Sequence, residues 1–261
     1  MIKNYLKIAW RNLLKHKSFS LINILGLSIG IAACMIIFLY VHHELTFDQY
    51  NEKADRIARI TTTLHTPESD MLFGTSPVPL AVALKKDFPE IEAAVRLESS
   101  PQVMKLNNDI IREEAFYTAD QSVFSIFSFQ FVEGTPTNAL ENPQSIVITN
   151  SIAKKYFGNS SAVGKTMNCN GKEVLVKAVI KDRPSNSDIK MDALLSVDHS
   201  KETSWMDDFE TYTFVLFKQK IDVKKFANKL DNAGKNDGQL KTEVFTMNFT
   251  PTKEMLAGLP K

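Results

Sequence analysis

Cysteine is almost missing from this chain. It occurs only as Cys34 and Cys169, one inside a long apolar run and one far outside it, so no internal disulfide can frame the fold. Acid is absent from the first 19 residues, which carry Lys3, Lys7, Arg11, Lys15 and Lys17. Beyond those, 26 basic residues face 30 acidic ones. The only basic cluster is therefore the one at the N-terminus, and nothing in the charge pattern marks a nucleic-acid-binding surface. The one G-x-S-x-G, Gly26 to Gly30, lies inside that apolar run and not on a strand-to-helix turn, and His16, His42, His43, His65 and His199 show no zinc-ligand spacing. No stretch rich in Gly, Ser or Pro divides the chain.

What is present is one apolar run. Leu21 to Val41, LINILGLSIGIAACMIIFLYV, is 21 residues without a charge, interrupted only by Asn23 and Ser28. As a helix it spans roughly 32 Å, about the thickness of a bilayer's hydrocarbon core. A core helix of that length would carry a polar stripe. A transmembrane helix over residues 20–41 is predicted. A cleaved signal peptide has an apolar core of only about 7–15 residues followed by a small-x-small site, and VHHELTF offers none, so the run is expected to be a permanent anchor. Basic residues precede it, and Glu44, Asp48 and Glu52 follow it before Lys53. The N-terminus is accordingly expected in the cytoplasm, and residues 42–261 on the far side. Gly26 and Gly30 form a G-x-x-x-G, a candidate helix-packing face.

Residues 1–19 place Ile2, Tyr5, Leu6, Ala9, Trp10, Leu13 and Leu14 along one helical face and Lys3, Lys7, Arg11 and Lys15 on the other. Such a helix lies in the membrane interface. Two readings stand at this point: a flank that needs only lipid, or a cytoplasmic contact surface made by Lys3, Lys7, Trp10, Arg11 and Lys15.

Beyond the run the pattern is α+β. Strands are predicted at 57–64 and 91–98, with a helix between them capped by Ser76, opened by Pro77 and stopped at Pro89. From Val103 to about Asp182 short strands and turns dominate, with a hairpin at Asn107-Asn108-Asp109 and a stronger one at Asn170-Gly171. Asp120 is expected to cap a short helix through Phe127, and Asn150 another through Phe157 that ends at Gly158. Phe124, Phe127, Phe129 and Phe131 are expected in the core. Strands follow at 192–197, 211–217 and 240–249, and Asp222 opens a helix through Leu230. The layout is an α/β layer built from both ends of the segment around a β-rich insertion. Two near-motifs are set aside. Gly158 to Thr166 resembles a P-loop but has five residues between its glycines where four are needed, and follows a helix, so its glycines are expected to be turn residues. His43-Glu44 starts like H-E-x-x-H but has Phe47 where the second histidine belongs.

Several blocks in combination carry a resemblance: NYLKIAWRNLLKHKSFSLINILGLSIGIAACMIIFLYVHHELTFDQYNEKADRIARI, SPVPLAVALKKDFPEIEAAVRL, DQSVFSIFSFQFVEGTPTNALENPQSIVITNSIAKKYFGNSSAVGKTM and VIKDRPSNSDIKMDALLS. Together they resemble the MacB-like, FtsX-related permease subunits of ABC transporters, in particular those of Bacteroidetes-type bacteria. The resemblance implies an inner-membrane protein whose periplasmic domain has a porter-like α/β part (about 56–100 and 184–250) split by the β-rich insertion (about 101–183). It implies no enzymatic activity and no cofactor in this chain. ATP would be bound by a cytoplasmic ABC ATPase subunit, and its hydrolysis passed to the periplasmic domain by mechanotransmission. A fuller permease subunit or a second copy, and a periplasmic adaptor, are the further partners implied. Family members carry at least three more spans, and no second apolar run follows Val41 here. The expectation is therefore the N-terminal part of a permease, with a single-span anchored binding or sensing protein as the alternative.

Overall fold

The computed structural model describes residues 2–46, 49–65, 69–106, 109–184, 186–187, 189–197, 210–234 and 240–246. It forms two compact units, Met1–Phe47 and Asp48–Lys261. In the first, α1 (Ile2–Lys15) and α2 (Lys17–Leu45) are separated by a bend at His16. The stretch Lys17–His43 is long and apolar enough to cross a membrane, and its most apolar window has no buried residue. The helix runs four residues past the predicted end at Val41 because Thr46 closes it. The Thr46 hydroxyl lies 3.0 Å from both the His42 and His43 carbonyls, groups that a helix end otherwise leaves unpaired.

The second unit is built on one sheet. In chain order its elements are β1 (Ile57–His65), β2 (Asp70–Phe73), α3 (Leu80–Asp87), β3 (Ile91–Ser99), β4 (Gln102–Leu106), β5 (Asp109–Glu113), β6 (Phe116–Ala119), α4 (Val123–Ile126), β7 (Phe131–Glu133), β8 (Ser145–Thr149), α5 (Asn150–Phe157), β9 (Thr166–Cys169), β10 (Lys172–Ile180), β11 (Ala193–Ser196), β12 (Thr211–Phe217), α6 (Val223–Gly234) and β13 (Leu240–Thr246). The strand order is β13-β1-β12-β3-β6-β11-β8-β10-β7, with β2 added to β1 and β9 to β10; β4 and β5 form a separate hairpin. Chain ends meet at one side, where β1 pairs antiparallel with both β12 and β13. Among the described strands only the β8–β10 and β6–β11 pairs are parallel. A parallel pair needs a crossover, and α5 lies in the one between β8 and β10.

Alternating side chains sort into cores on the two faces. One face carries a single core across the whole sheet, from Ile57, Val95 and Phe214 to Val147, Ile180 and Leu194, closed by Val123, Ile126 and Phe127. The other face carries two. Leu80 and Leu84 of α3 and Phe226 and Leu230 of α6 cover Ala58, Ile60, Val215 and Phe217. Ile152 of α5 and Met104 of β4 cover Phe116, Ile146, Ile148 and Val176. Of the four phenylalanines expected in the core only Phe127 is buried, meeting Phe214 at 5.1 Å; Phe124, Phe129 and Phe131 are half-buried against it, Phe124 meeting the other two edge-on at 5.3 and 5.5 Å.

Three predicted caps are corrected. Ser76 does not cap α3, which starts at Leu80 with Pro79 before it. A residue preceding proline favours extended backbone, and Ser76 is a buried β-bridge partner of Thr211, its hydroxyl 2.8 Å from Thr213 Oγ1. Asp120 does not cap α4 with its side chain, because that carboxylate is committed to Arg96. Asn150 is already inside α5; Thr149 caps it, its Oγ1 accepting the Ile152 N–H at 3.4 Å.

The Asn170-Gly171 turn matches expectation, with φ of 49° and 80° and Cys169 opposite Lys172, the twist a two-residue hairpin needs. Asp222 does open α6, accepting the Lys225 N–H at 3.3 Å. Strands β4 and β5 pair as the hairpin reading requires, although Asn107 and Asn108 lie outside the described residues, as do 247–249 of the predicted last strand.

Candidate functional site

In the first unit the residues singled out in sequence fall on two surfaces. Lys3, Trp10, Arg11 and Lys15 are exposed on α1; Lys7 belongs to the same helix, but its side chain lies outside the described residues. On α2, Gly26, Gly30 and Cys34 floor a shallow groove walled by Leu27, Ile31 and Phe38. A Cβ placed on either glycine would meet nothing within 4 Å. That spacing of small residues lets a second backbone approach closely.

In the second unit, alternation predicts apolar residues on both faces of the central strands, and it fails in the middle. Where β12, β3 and β6 adjoin, Thr211 faces Glu98 and Glu98 faces Thr118; one step along, Thr213 faces Arg96. This polar block occupies the gap between the α3/α6 core and the α5 core. Arg96 holds Asp120 through Nε at 2.8 Å and Nη2 at 2.7 Å, and its backbone N–H donates to the same carboxylate at 3.0 Å. Thr211 and Thr213 are fully buried beside Ser76. The hydroxyls of Thr62, Thr118 and Thr211 are buried with no hydrogen-bond partner among the described residues.

A second polar cluster ties the β4–β5 hairpin to α5. Glu113 Oε1 accepts from Lys155 Nζ at 2.7 Å and from the Tyr156 hydroxyl at 2.5 Å. Burial, and then this carboxylate, push the Tyr156 phenol above its ordinary value. Asp192 is raised too, by burial first and then by Glu113 and Asp182, with Lys155 opposing. Burial pushes the Cys169 thiol up to about 12. Through these bonds Glu113, Lys155 and Tyr156 fasten the hairpin to the helix.

The P-loop lookalike is a pair of turns. Gly158 ends α5 with φ of 64°, and Gly164 has φ of 83° with its N–H donating to the Val176 carbonyl at 2.9 Å. Lys165 turns back onto Ser160 at 2.6 Å and lies over the Phe157 ring. The helix precedes the loop, so its N-terminus does not point into it as a phosphate cradle requires. Sequence reading did not find the polar block. Its only trace was alternation of the kind Arg96-Leu97-Glu98 and Thr211-Tyr212-Thr213, which reads equally well as a solvated strand face.

Residues 20–233 match the family profile described as the MacB-like periplasmic core domain. The chain belongs to this family. Three solved structures share the fold. A domain of a protein described as a permease from Porphyromonas gingivalis is 19% identical, with a TM-score of 0.63, over 80% of this chain and 99% of that one. The periplasmic region of MacB from Actinobacillus actinomycetemcomitans is 15% identical, with a TM-score of 0.57, over 79% and 94%. The extracellular domain of the ABC-type transporter YknZ from Gram-positive bacteria is 14% identical, with a TM-score of 0.53, over 72% and 99%. No curated protein matches. The matched stretch thus includes the one helix among the described residues that is apolar enough for a bilayer, and its family is one of transporter permeases.

Proposed function

We propose that this chain is the N-terminal part of an ABC transporter permease subunit of the bacterial inner membrane, coupling ATP hydrolysis by a cytoplasmic partner to movement or export in the periplasm. The observation that carries this reading is the match of a MacB-like periplasmic core domain to a stretch that includes the apolar helix. In this reading residues 1–19 lie at the cytoplasmic interface, 20–41 span the bilayer and 42–261 are periplasmic. The parts at about 56–100 and 184–250 are porter-like, around an insertion at about 101–183. Lys3, Lys7, Trp10, Arg11 and Lys15 face lipid headgroups or the ATPase, and the groove over Gly26 and Gly30 receives another membrane helix. The chain binds no cofactor and performs no catalysis; ATP belongs to the partner. A fuller permease subunit or a second copy, and a periplasmic adaptor, complete the assembly.

The test is affinity purification of the whole chain from crosslinked membranes of its host. An ABC ATPase is expected in the eluate, and protease added to spheroplasts is expected to degrade the part beyond residue 42. A chain that purifies without any ATPase overturns the permease reading. It would leave the alternative, a single-span anchored binding or sensing protein.

A further inference from the structure

The chain does not pass freely into β1 at the start of the second unit. It is first fastened to the opposite half of the sheet. Asn51, 2% exposed, accepts the Ser128 N–H through Oδ1 at 3.1 Å. The Glu52 N–H donates to Ser128 Oγ at 2.9 Å, and Lys53 Nζ donates to the Ser125 carbonyl at 2.7 Å. Tyr50 is gripped from another segment. The Arg183 guanidinium stacks 4.8 Å from the Tyr50 ring and 4.8 Å from the Phe129 ring. It also donates to the Ser128 carbonyl at 3.2 Å and to the Tyr50 hydroxyl. That hydroxyl lies 2.8 Å from Ser187 Oγ, and Ser187 in turn donates to the Ile189 carbonyl at 3.1 Å.

The segments holding residues 50–53 are α4 with the turn that leads from it into β7, and the connection from β10 to β11. β7, β10 and β11 all lie in the half of the sheet that β6 begins. β1 lies in the other half, and there Arg56 donates to the Phe217 and Lys218 carbonyls at 3.1 and 3.0 Å. Seven consecutive residues thus bind both halves. A guanidinium between two rings that also donates to a carbonyl and a phenol is a stiff, directional contact.

We propose that residues 50–53 are a force-bearing strap. They fasten the chain arriving from α2 to the β6-β11-β8-β10-β7 half before it enters β1, with Arg183 as the clasp, so that displacement of the arriving chain reaches both halves together. This rests on the coupling role proposed above, and it assigns that role to particular contacts.

The test is hydrogen exchange on the whole chain in lipid nanodiscs. Arg183→Gln is expected to speed exchange of the Glu52 and Ser128 amides together, by about tenfold, while β8 and β10 amides keep their rates. Tyr50→Phe, which keeps the ring and removes the hydroxyl, is expected to give a smaller rise at the same two positions. Exchange that rises at one amide alone, or equally over the sheet, overturns the strap. In the chain assembled with its ATPase, ATP turnover is expected to change exchange at both amides, and four glycines inserted after Thr46 are expected to abolish that response. An undiminished response in the glycine variant overturns the force-bearing role while leaving the permease reading intact. Failure of any ATPase to assemble overturns the permease reading, and the force-bearing role with it, whatever the paired opening shows.

Discussion

Asp120 is the most informative residue to remove, because its ion pair with Arg96 bridges the junction of the two half-sheets. β3 and β6 share just three opposed pairs, Leu97 with Ala119, Glu98 with Thr118 and Ser99 with Tyr117. Arg96 and Asp120 extend that short seam with three hydrogen bonds between 2.7 and 3.0 Å. The two side chains are 14% and 22% exposed. Stripping one partner from a fully buried pair costs about 3–5 kcal/mol. The remaining exposure lets Arg96 recover some hydration, so about 2–3 kcal/mol is expected for Asp120→Ala. For a domain of this size that corresponds to a fall in Tm of about 5–10 °C. Asp120→Asn can still accept the Arg96 backbone N–H and is expected to lose about half as much. The control is Glu114→Ala: Arg112 and Glu114 are just as close, at 2.6 Å, but 63% and 68% exposed, which predicts less than about 0.5 kcal/mol. Urea titration and thermal melts of the whole chain in detergent measure all three. If Asp120→Ala and Glu114→Ala prove equally mild, burial has been overvalued and the seam is held by the shared core alone.

Three further outcomes follow from particular contacts. The Asp192 carboxyl is raised by burial, so the folded state binds its proton more tightly than the unfolded chain does, and stability falls as pH climbs from the ordinary carboxylate value through the raised one. Asp192→Asn is therefore expected to raise Tm at neutral pH and to lose that advantage below the ordinary value, as melts across pH 3 to 7 would show. Gly134 has φ of 77°, and a Cβ there would stand 2.6 Å from the Lys177 carbonyl oxygen, whereas Gly158, with φ of 64°, has open space. Gly158→Ala is expected to cost about 1–3 kcal/mol of backbone strain, because its φ of 64° and ψ of −130° lie outside the left-handed helical region, and Gly134→Ala more than a strain of that kind alone, since strand β10 must also yield; urea midpoints measure both. Thr149→Ala removes the cap of α5 and is expected to cost about 1 kcal/mol, with faster amide exchange confined to the first turn of that helix.

Local chemistry was readable from sequence wherever one residue decides the geometry. Asn170-Gly171 admits hardly any conformation but the tight hairpin it makes, and the charge-free run from Leu21 to Val41 leaves little alternative to a long helix. Thr211 to Phe217 was located to the residue because Thr-Tyr-Thr-Phe-Val-Leu-Phe is dense in β-formers. Caps were less legible. Ser76, Asp120 and Asn150 each look like an N-cap in isolation, and each has a use for its polar group elsewhere or a better neighbour. A side chain that can serve a helix end can equally serve a distant strand, and sequence spacing does not rank the two. Ser76 went to Thr213, 137 positions away, and Asp120 to Arg96.

Sheet order was the part least available from the sequence, for a physical reason. β11 is four residues, Ala-Leu-Leu-Ser, buried at its first three positions and so without alternation to mark its faces. It pairs parallel with β6 and antiparallel with β8, both far away in the chain. Nothing local selects those neighbours; they follow from which apolar surfaces remain once the hairpins have closed. The polar block was hidden by the same non-locality. Thr211, Glu98 and Thr118 are unremarkable strand residues one at a time, and they become a site only when register sets them side by side. The Arg183 clasp adds the sharpest instance. An arginine between Asp182 and Pro184 reads as a solvated turn, yet its guanidinium is wedged between two aromatic rings from separate segments. Stacking of this kind leaves no periodicity in the sequence, since it depends on one residue meeting two others that the fold alone brings near.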